Sequence, residues 1–423
     1  MTKVISEIMR HTRPYQGAEI VAEIFGKHYA AAVNGALPVV LFCAGSSGKI
    51  LCSFLKSHGI LPVCFCDNNP TRVGAEFCDL PIISFDSLKK EHQRSLILIA
   101  STAFQSFIKR QLLDNGFRAD RVFSLDTEET SFDLILQRER ILMLARNGEP
   151  GDLLKNLKYE EEKLQGVYDL LADRKSKDLF VKRLALIASG YDFLSYKNYL
   201  NEFSEPCLEF GYENRARLNR GGNYYYFNND ILRLKDDEVL VDGGAYTGDS
   251  TEEFIAACQK KRLKFKYIYC FEADQGNYEL LMKNTAKYKN VTCLNLGLWS
   301  HQTKVRFISS AKTESQVARI QDDGISTPGT ADIEIDTTSI DEQSNGEEIS
   351  LIKMDIEGAE LKAVQGAANT IKKYAPKLVI SVYHGNSDLF EIPLLVKRIL
   401  PNYQLYLRHL GNYFDDTVLL AIT

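Results

Sequence analysis

The chain has 423 residues, 45% of them hydrophobic and 25% charged, with a formal charge of −5. This length and balance describe a soluble globular protein of two domains and exclude a disordered chain. The acidic surplus argues against a general grip on nucleic acid or anionic lipid, and no run approaches the roughly 20 apolar residues of a membrane helix.

The opening segment MTKVISEIMRHTRPYQ lacks the uninterrupted apolar core of a signal peptide, so a cytoplasmic protein is expected. The nine cysteines lie inside apolar segments such as VCFC, YIYC and VTCL, which predicts reduced core residues. Cys64 and Cys66 share one strand face, and no second pair has the spacing of a zinc site.

Residues 1–35 read as a helical lead-in, with Ile5, Met9, Ile20, Ile24 and Tyr29 at helical intervals. From 36 to 127, apolar runs alternate with amphipathic helices: PVVLFCAG, LPVCFCDNN, SLILIAS and RVFSL are the strands. That alternation predicts a parallel sheet with covering helices. After the first strand come Cys43, Ala44, Gly45, Ser46, Ser47 and Gly48, the dinucleotide pattern with cysteine at its first glycine. Asp67 follows 22 residues beyond Gly45, where a ribose acid is expected. Gly45, Ser46, Ser47, Gly48 and Asp67 are thus candidates for binding a nucleotide or sugar nucleotide. A fold relic that only packs or self-associates is the competing reading.

Residues 128–221 lack strand signals and read as a charged helical connector. Within it, Tyr159 and Lys163 have the spacing of a short-chain dehydrogenase pair, but no serine stands about a dozen residues upstream. Strands return in 222–423 at EVLVDGG, YIYCFEAD, VTCLNLGLW, VRFIS, ISLIKMD and KLVISVYH. YQLYLRHL and TVLLAIT, joined by GNYFDD, read as a terminal antiparallel hairpin.

The first of these strands ends at Asp242, followed by Gly243, Gly244, Tyr246, Gly248 and Asp249. The glycines permit a tight turn and close backbone approach, while the flanking acids disfavour a phosphate and suit a cationic sulfonium. S-adenosyl-L-methionine carries such a sulfonium and a free ammonium group. Glu272, 30 residues after Asp242 and followed by Ala273, is the expected ribose ligand. Asp355 and Glu357 end a later strand at the same sheet edge. His384 ends the next strand, and its ordinary pKa near 6.5 suits a general base removing a hydroxyl proton, with Glu357 the second choice. A purely structural His384, or a divalent metal held by Asp355, Glu357 and His384, uses the same residues. No metal is the reading preferred here.

VDGGAYTGDST, FEAD, LGLWS, KMDIEGAE and SVYHGNSDLFEIPLL together resemble the FkbM-type methyltransferase family over 222–423. The resemblance implies a class I methyltransferase fold and O-methylation of a hydroxyl on a saccharide, sugar nucleotide or related metabolite. It also places Asp242, Gly244 and Gly248 at the methionine end of the cofactor, Glu272 at the ribose, Gly297 and Leu298 beside the adenine, and Asp355 and Glu357 near the methyl. FCAGSSGKILCSFLKSHG, FCDNNPTRVG and LPIIS resemble a Rossmann-like nucleotide-sugar binding module over 36–126. The expected fold is therefore α/β, with two doubly wound Rossmann-like domains joined by a helical segment. An NAD(P)-dependent sugar-nucleotide enzyme and a non-catalytic nucleotide-binding protein are the alternatives; the second requires a broken pocket, and residues 238–274 are intact.

Overall fold

The computed structural model describes residues 2–13, 17–101, 104–124, 159–204, 226–308, 320–321, 332–344, 346–411 and 416–423. About half of the expected connector, 128–158 and 205–221, lies outside them, as does the turn 412–415. Two units emerge: Arg13–Asp152 with Ala188–Lys197, and Met1–Thr12 with Leu153–Ile187 and Asn198–Thr423.

The first unit is built on six strands: β1 (Val39–Phe42), β2 (Pro62–Cys66), β3 (Glu76–Phe77), β4 (Leu80–Ile83), β5 (Leu96–Ile99) and β6 (Val122–Phe123). They lie in the order β3-β4-β2-β1-β5-β6, all pairs parallel except β3 with β4. β1 and β5 are fully buried VVLF and LILI runs, the pattern of strands covered on both faces. Cys64 and Cys66 pack in one core cluster with Val40, Phe42 and Ile97. The eight cysteines described are all free. The sequence passed over the β3–β4 hairpin because Glu76–Phe77 is too short to show a period.

The second unit contains a seven-stranded sheet: β7 (Glu238–Gly243), β8 (Phe265–Phe271), β9 (Val291–Leu294), β14 (Leu351–Met354), β15 (Lys377–Ser381), β16 (Gln404–His409) and β17 (Thr417–Ile422). Its order is β16-β17-β15-β14-β7-β8-β9, parallel from β15 to β9, with β17 antiparallel to both neighbours. The terminal hairpin is therefore present. A smaller sheet joins β10 (Gly297–Leu298), β11 (Thr303–Ile308), β12 (Ile320–Gln321) and β13 (Asp332–Thr338).

VTCLNLGLW thus forms two strands in two sheets rather than one. The Asn295 side chain turns the chain between them by donating to the Glu272 and Ala273 carbonyls at 2.9 and 3.3 Å. The first helix, Lys3–His11, read as part of the lead-in, packs instead with helix Glu161–Leu170 of the second unit, where the Val4 N–H donates to Gln165. Helix Arg174–Ala188 is likewise tied down: buried Arg408 bonds Asp173 ahead of it and Asp230 at 2.7 and 2.8 Å. His409 is buried and bonded to Thr417, a core role. The six- and seven-stranded sheets are parallel-dominated within a mixed α/β architecture. Among the described residues no helix is long and apolar enough to cross a membrane.

Candidate active site

In the second unit the order of connection reverses between β7 and β14, and open parallel sheets bind ligands at the carboxyl ends of strands beside such a point. Gly244 follows β7 with φ +70°, and a Cβ there would lie 1.8 Å from the Asp355 carbonyl oxygen. Only glycine lets the two strand ends approach this closely. Gly243 abuts the Leu298 side chain, and Gly248, at φ +95°, caps helix Asp249–Lys260. Exposed Tyr246 also takes a positive φ, of 50°.

Asp242 is fully buried beneath this loop. One carboxylate oxygen accepts Ser250 and Thr251 hydroxyls at 2.7 Å each, and the other lies 3.1 Å from Lys353 Nζ. Lys353, itself buried in β14, also donates to the Gly243 and Gly244 carbonyls and sits over the Tyr226 ring. Asp242 therefore lies under the loop and fixes its shape, with its carboxylate turned to protein groups.

Glu272, at the end of β8, spans two loops: one oxygen accepts the Tyr246 N–H at 2.8 Å and the other the Asp274 N–H at 2.9 Å. Each oxygen keeps a second lone pair, the acceptor pattern a ribose diol needs. Burial pushes its pKa up to about 7 despite these N–H donors. Ala273 lies against Gly297, whose absent Cβ would otherwise crowd Ile335 and Thr337.

Past β14, Asp355 accepts the Tyr226 and Tyr383 hydroxyls at 2.8 and 2.7 Å. Burial raises its pKa, but His384, Lys353 and the two hydroxyls outweigh that and hold it below the usual carboxylate range. Tyr226 is placed by half-buried Glu253, which accepts the Phe227 N–H and whose pKa desolvation pushes up to about 8. Glu357, at φ +58° and with a side chain 40% exposed, lies 3.3 Å from His384 Nε2. Glu360 is buried and accepts the Ile356 and Gly358 N–H groups.

The His384 side chain is 8% exposed. Burial alone would favour its neutral form, but Glu360 and Glu357 outweigh this and raise its pKa well above 6.5. The direction of that shift opposes the expectation of a ready general base. Glu357 is the more accessible acceptor. Tyr226, Tyr383 and Lys353 complete the site without having been singled out from sequence. Lys353 carried a signal, a charge inside the apolar run ISLIKM beside Asp242 in register.

In the first unit the reversal falls between β1 and β5. Cys43 adopts φ +85° at the position where the motif wants glycine. A Cβ at Gly48 would lie 2.3 Å from the Cys43 carbonyl oxygen, so this glycine presses helix Ser46–Ser57 onto the strand end. Gly45 caps the helix; Ser46 is exposed and Ser47 half-buried in its first turn. Asp67 accepts the Ala44 and Asn69 N–H groups at 2.9 Å each, with Arg72 Nη1 3.4 Å from it.

Residues 242–411 match the family model described as Methyltransferase FkbM domain. A solved structure of methyltransferase FkbM from Methylobacillus flagellatus KT is 19% identical, with a TM-score of 0.57, and the alignment covers 99% of this chain and 98% of that one. Two further likenesses are more distant. Precorrin-6y C5,15-methyltransferase from Geobacter metallireducens GS-15 is 14% identical, covering 52% and 93% of the two chains with a TM-score of 0.28. Fibrillarin from Aeropyrum pernix, solved with natively bound S-adenosyl-L-methionine, is 9% identical, covering 46% and 71% with a TM-score of 0.29. No curated protein sequence matches.

Proposed function

We propose that this chain, whose residues 242–411 form an FkbM-type methyltransferase domain, uses S-adenosyl-L-methionine to methylate a hydroxyl of a saccharide, sugar nucleotide or related metabolite. The observation that carries the reading is Glu272, which ties the Tyr246 loop to the end of β8 while both of its oxygens retain acceptor capacity beside the switch point. S-adenosyl-L-methionine supplies a methyl on a sulfonium that leaves readily.

The chain's own contribution is alignment and charge. Glu272 holds the ribose hydroxyls, Ala273, Gly297 and Leu298 flank the adenine, and the Gly243–Gly248 loop with Tyr246 and Asp249 receives the methionine portion. Asp242 acts through the loop it braces. Asp355 faces the cation and is itself positioned by Tyr226 and Tyr383. Glu357, more exposed than Asp355 or Glu360, takes the acceptor's proton, and His384 orients it from 3.3 Å. The first unit supplies a nucleotide or sugar-nucleotide site at Gly45–Gly48 and Asp67, supported by the same acid-to-loop bridge. A cytoplasmic setting completes the reading.

The test is transfer of label from methyl-labelled cofactor to a panel of sugars and sugar nucleotides. Transfer to a hydroxyl, reduced at least tenfold in Glu357→Gln with cofactor affinity retained, supports it. Cofactor binding with label appearing only on nitrogen or carbon acceptors would contradict it.

A further inference from the structure

Three donors converge where β14 and β15 end. Asp355 follows β14, Glu360 opens the next helix and His384 follows β15. One atom from each lies within 4.8 Å of the others. Glu360 Oε1 is 3.0 Å from His384 Nδ1, and Asp355 Oδ1 is 3.5 Å from Nε2.

Two features separate this group from an ordinary acidic cluster. His384 Nδ1 is buried and has no hydrogen-bond partner in line, although the Glu360 carboxylate lies 3.0 Å away. The carboxylates are also fixed from behind: Glu360 by two backbone N–H groups, Asp355 by two tyrosine hydroxyls. Outer partners of this kind orient metal ligands.

We propose that Asp355, Glu360 and His384 hold a divalent metal ion. Two carboxylates and one imidazole suit manganese or a similar first-row ion better than calcium, whose sites use oxygen donors. Three protein ligands leave positions open for water or an acceptor oxygen. The ion's use in catalysis rests on the function proposed above: it would draw charge from the acceptor hydroxyl and ease loss of its proton.

The test is titration of manganese chloride into the full chain, followed by calorimetry and by the paramagnetic resonance of free ion. One ion should bind per chain. Asp355→Asn and His384→Gln should each weaken binding by about 10- to 100-fold, with circular dichroism unchanged, while Glu357→Gln changes it less than about threefold. If Asp355→Asn unfolds, His384→Gln alone decides. No binding by the unaltered chain below about 1 mM, or equal binding by a folded His384→Gln chain, overturns the site; a loss in Glu357→Gln as large as in Asp355→Asn overturns the ligand set. A parallel titration of S-adenosyl-L-methionine keeps the readings apart. Cofactor binding without manganese binding removes the metal and spares the methyltransferase, and the reverse result does the opposite.

Discussion

At the carboxyl ends of β7 and β1 the chain meets the same structural problem twice. Glu272 accepts the Tyr246 N–H at 2.8 Å and Asp67 accepts the Ala44 N–H at 2.9 Å, so in both units an acid ending the second strand holds the loop after the first. The surroundings then diverge. Asp67 has the Arg72 guanidinium within 3.4 Å, whereas burial lifts Glu272 to about 7. The loops differ as well: Gly244 meets the Asp355 carbonyl where no Cβ fits, while Cys43 takes a glycine-like φ and keeps its side chain. Shared geometry therefore marks a shared fold, and uncompensated charge marks the place where a ligand must supply donors.

The largest expected effect is at Gly244. Gly244→Ala should cost roughly 3 kcal/mol or more in denaturant unfolding and abolish cofactor binding. Retention of wild-type stability would show that the two strand ends are not in contact.

Next comes Glu272→Ala, which should weaken S-adenosyl-L-methionine binding about 100-fold, roughly 2.7 kcal/mol, by calorimetry. The unaltered chain should also bind more tightly as pH rises. A buried carboxylate with a raised pKa favours its protonated form below about 7, and its contribution to stability is lost as pH rises through that value. Ribose hydroxyls prefer the ionised form, so affinity should improve about tenfold between pH 6 and 8 and level off above. Glu272→Gln should flatten the profile.

Asp67→Ala sharpens the comparison from the other side. It strands the Ala44 and Asn69 N–H groups and should destabilise the first unit by about 1–3 kcal/mol, leaving S-adenosyl-L-methionine affinity within about twofold. The smallest effect is expected for Cys43→Gly, where relief of positive φ and greater freedom of the unfolded chain offset one another to within about 1 kcal/mol.

What sequence reveals here follows from how each residue is recognised. Asp242, Glu272 and Asp355 stand out because they end apolar strands, a local pattern. Tyr226 and Tyr383 do not, since Tyr226 meets Asp355 across 129 residues and only the fold brings them together. His384 is legible as a histidine, but its charge depends on Glu360 and Glu357, whose distances no spacing rule gives. β13 is legible in principle, because Glu334 and Asp336 alternate with buried Ile335 and Thr337 at the period of a half-buried strand. Asn295 divides what looks like one strand, through side-chain bonds to carbonyls of another segment.

The most direct test of the central claim is calorimetric titration of S-adenosyl-L-methionine into the unaltered chain and into Glu272→Ala and Asp67→Ala. One site per chain, lost in Glu272→Ala and retained in Asp67→Ala, is the predicted result. Absence of binding to the unaltered chain, or binding lost in Asp67→Ala and kept in Glu272→Ala, would contradict it.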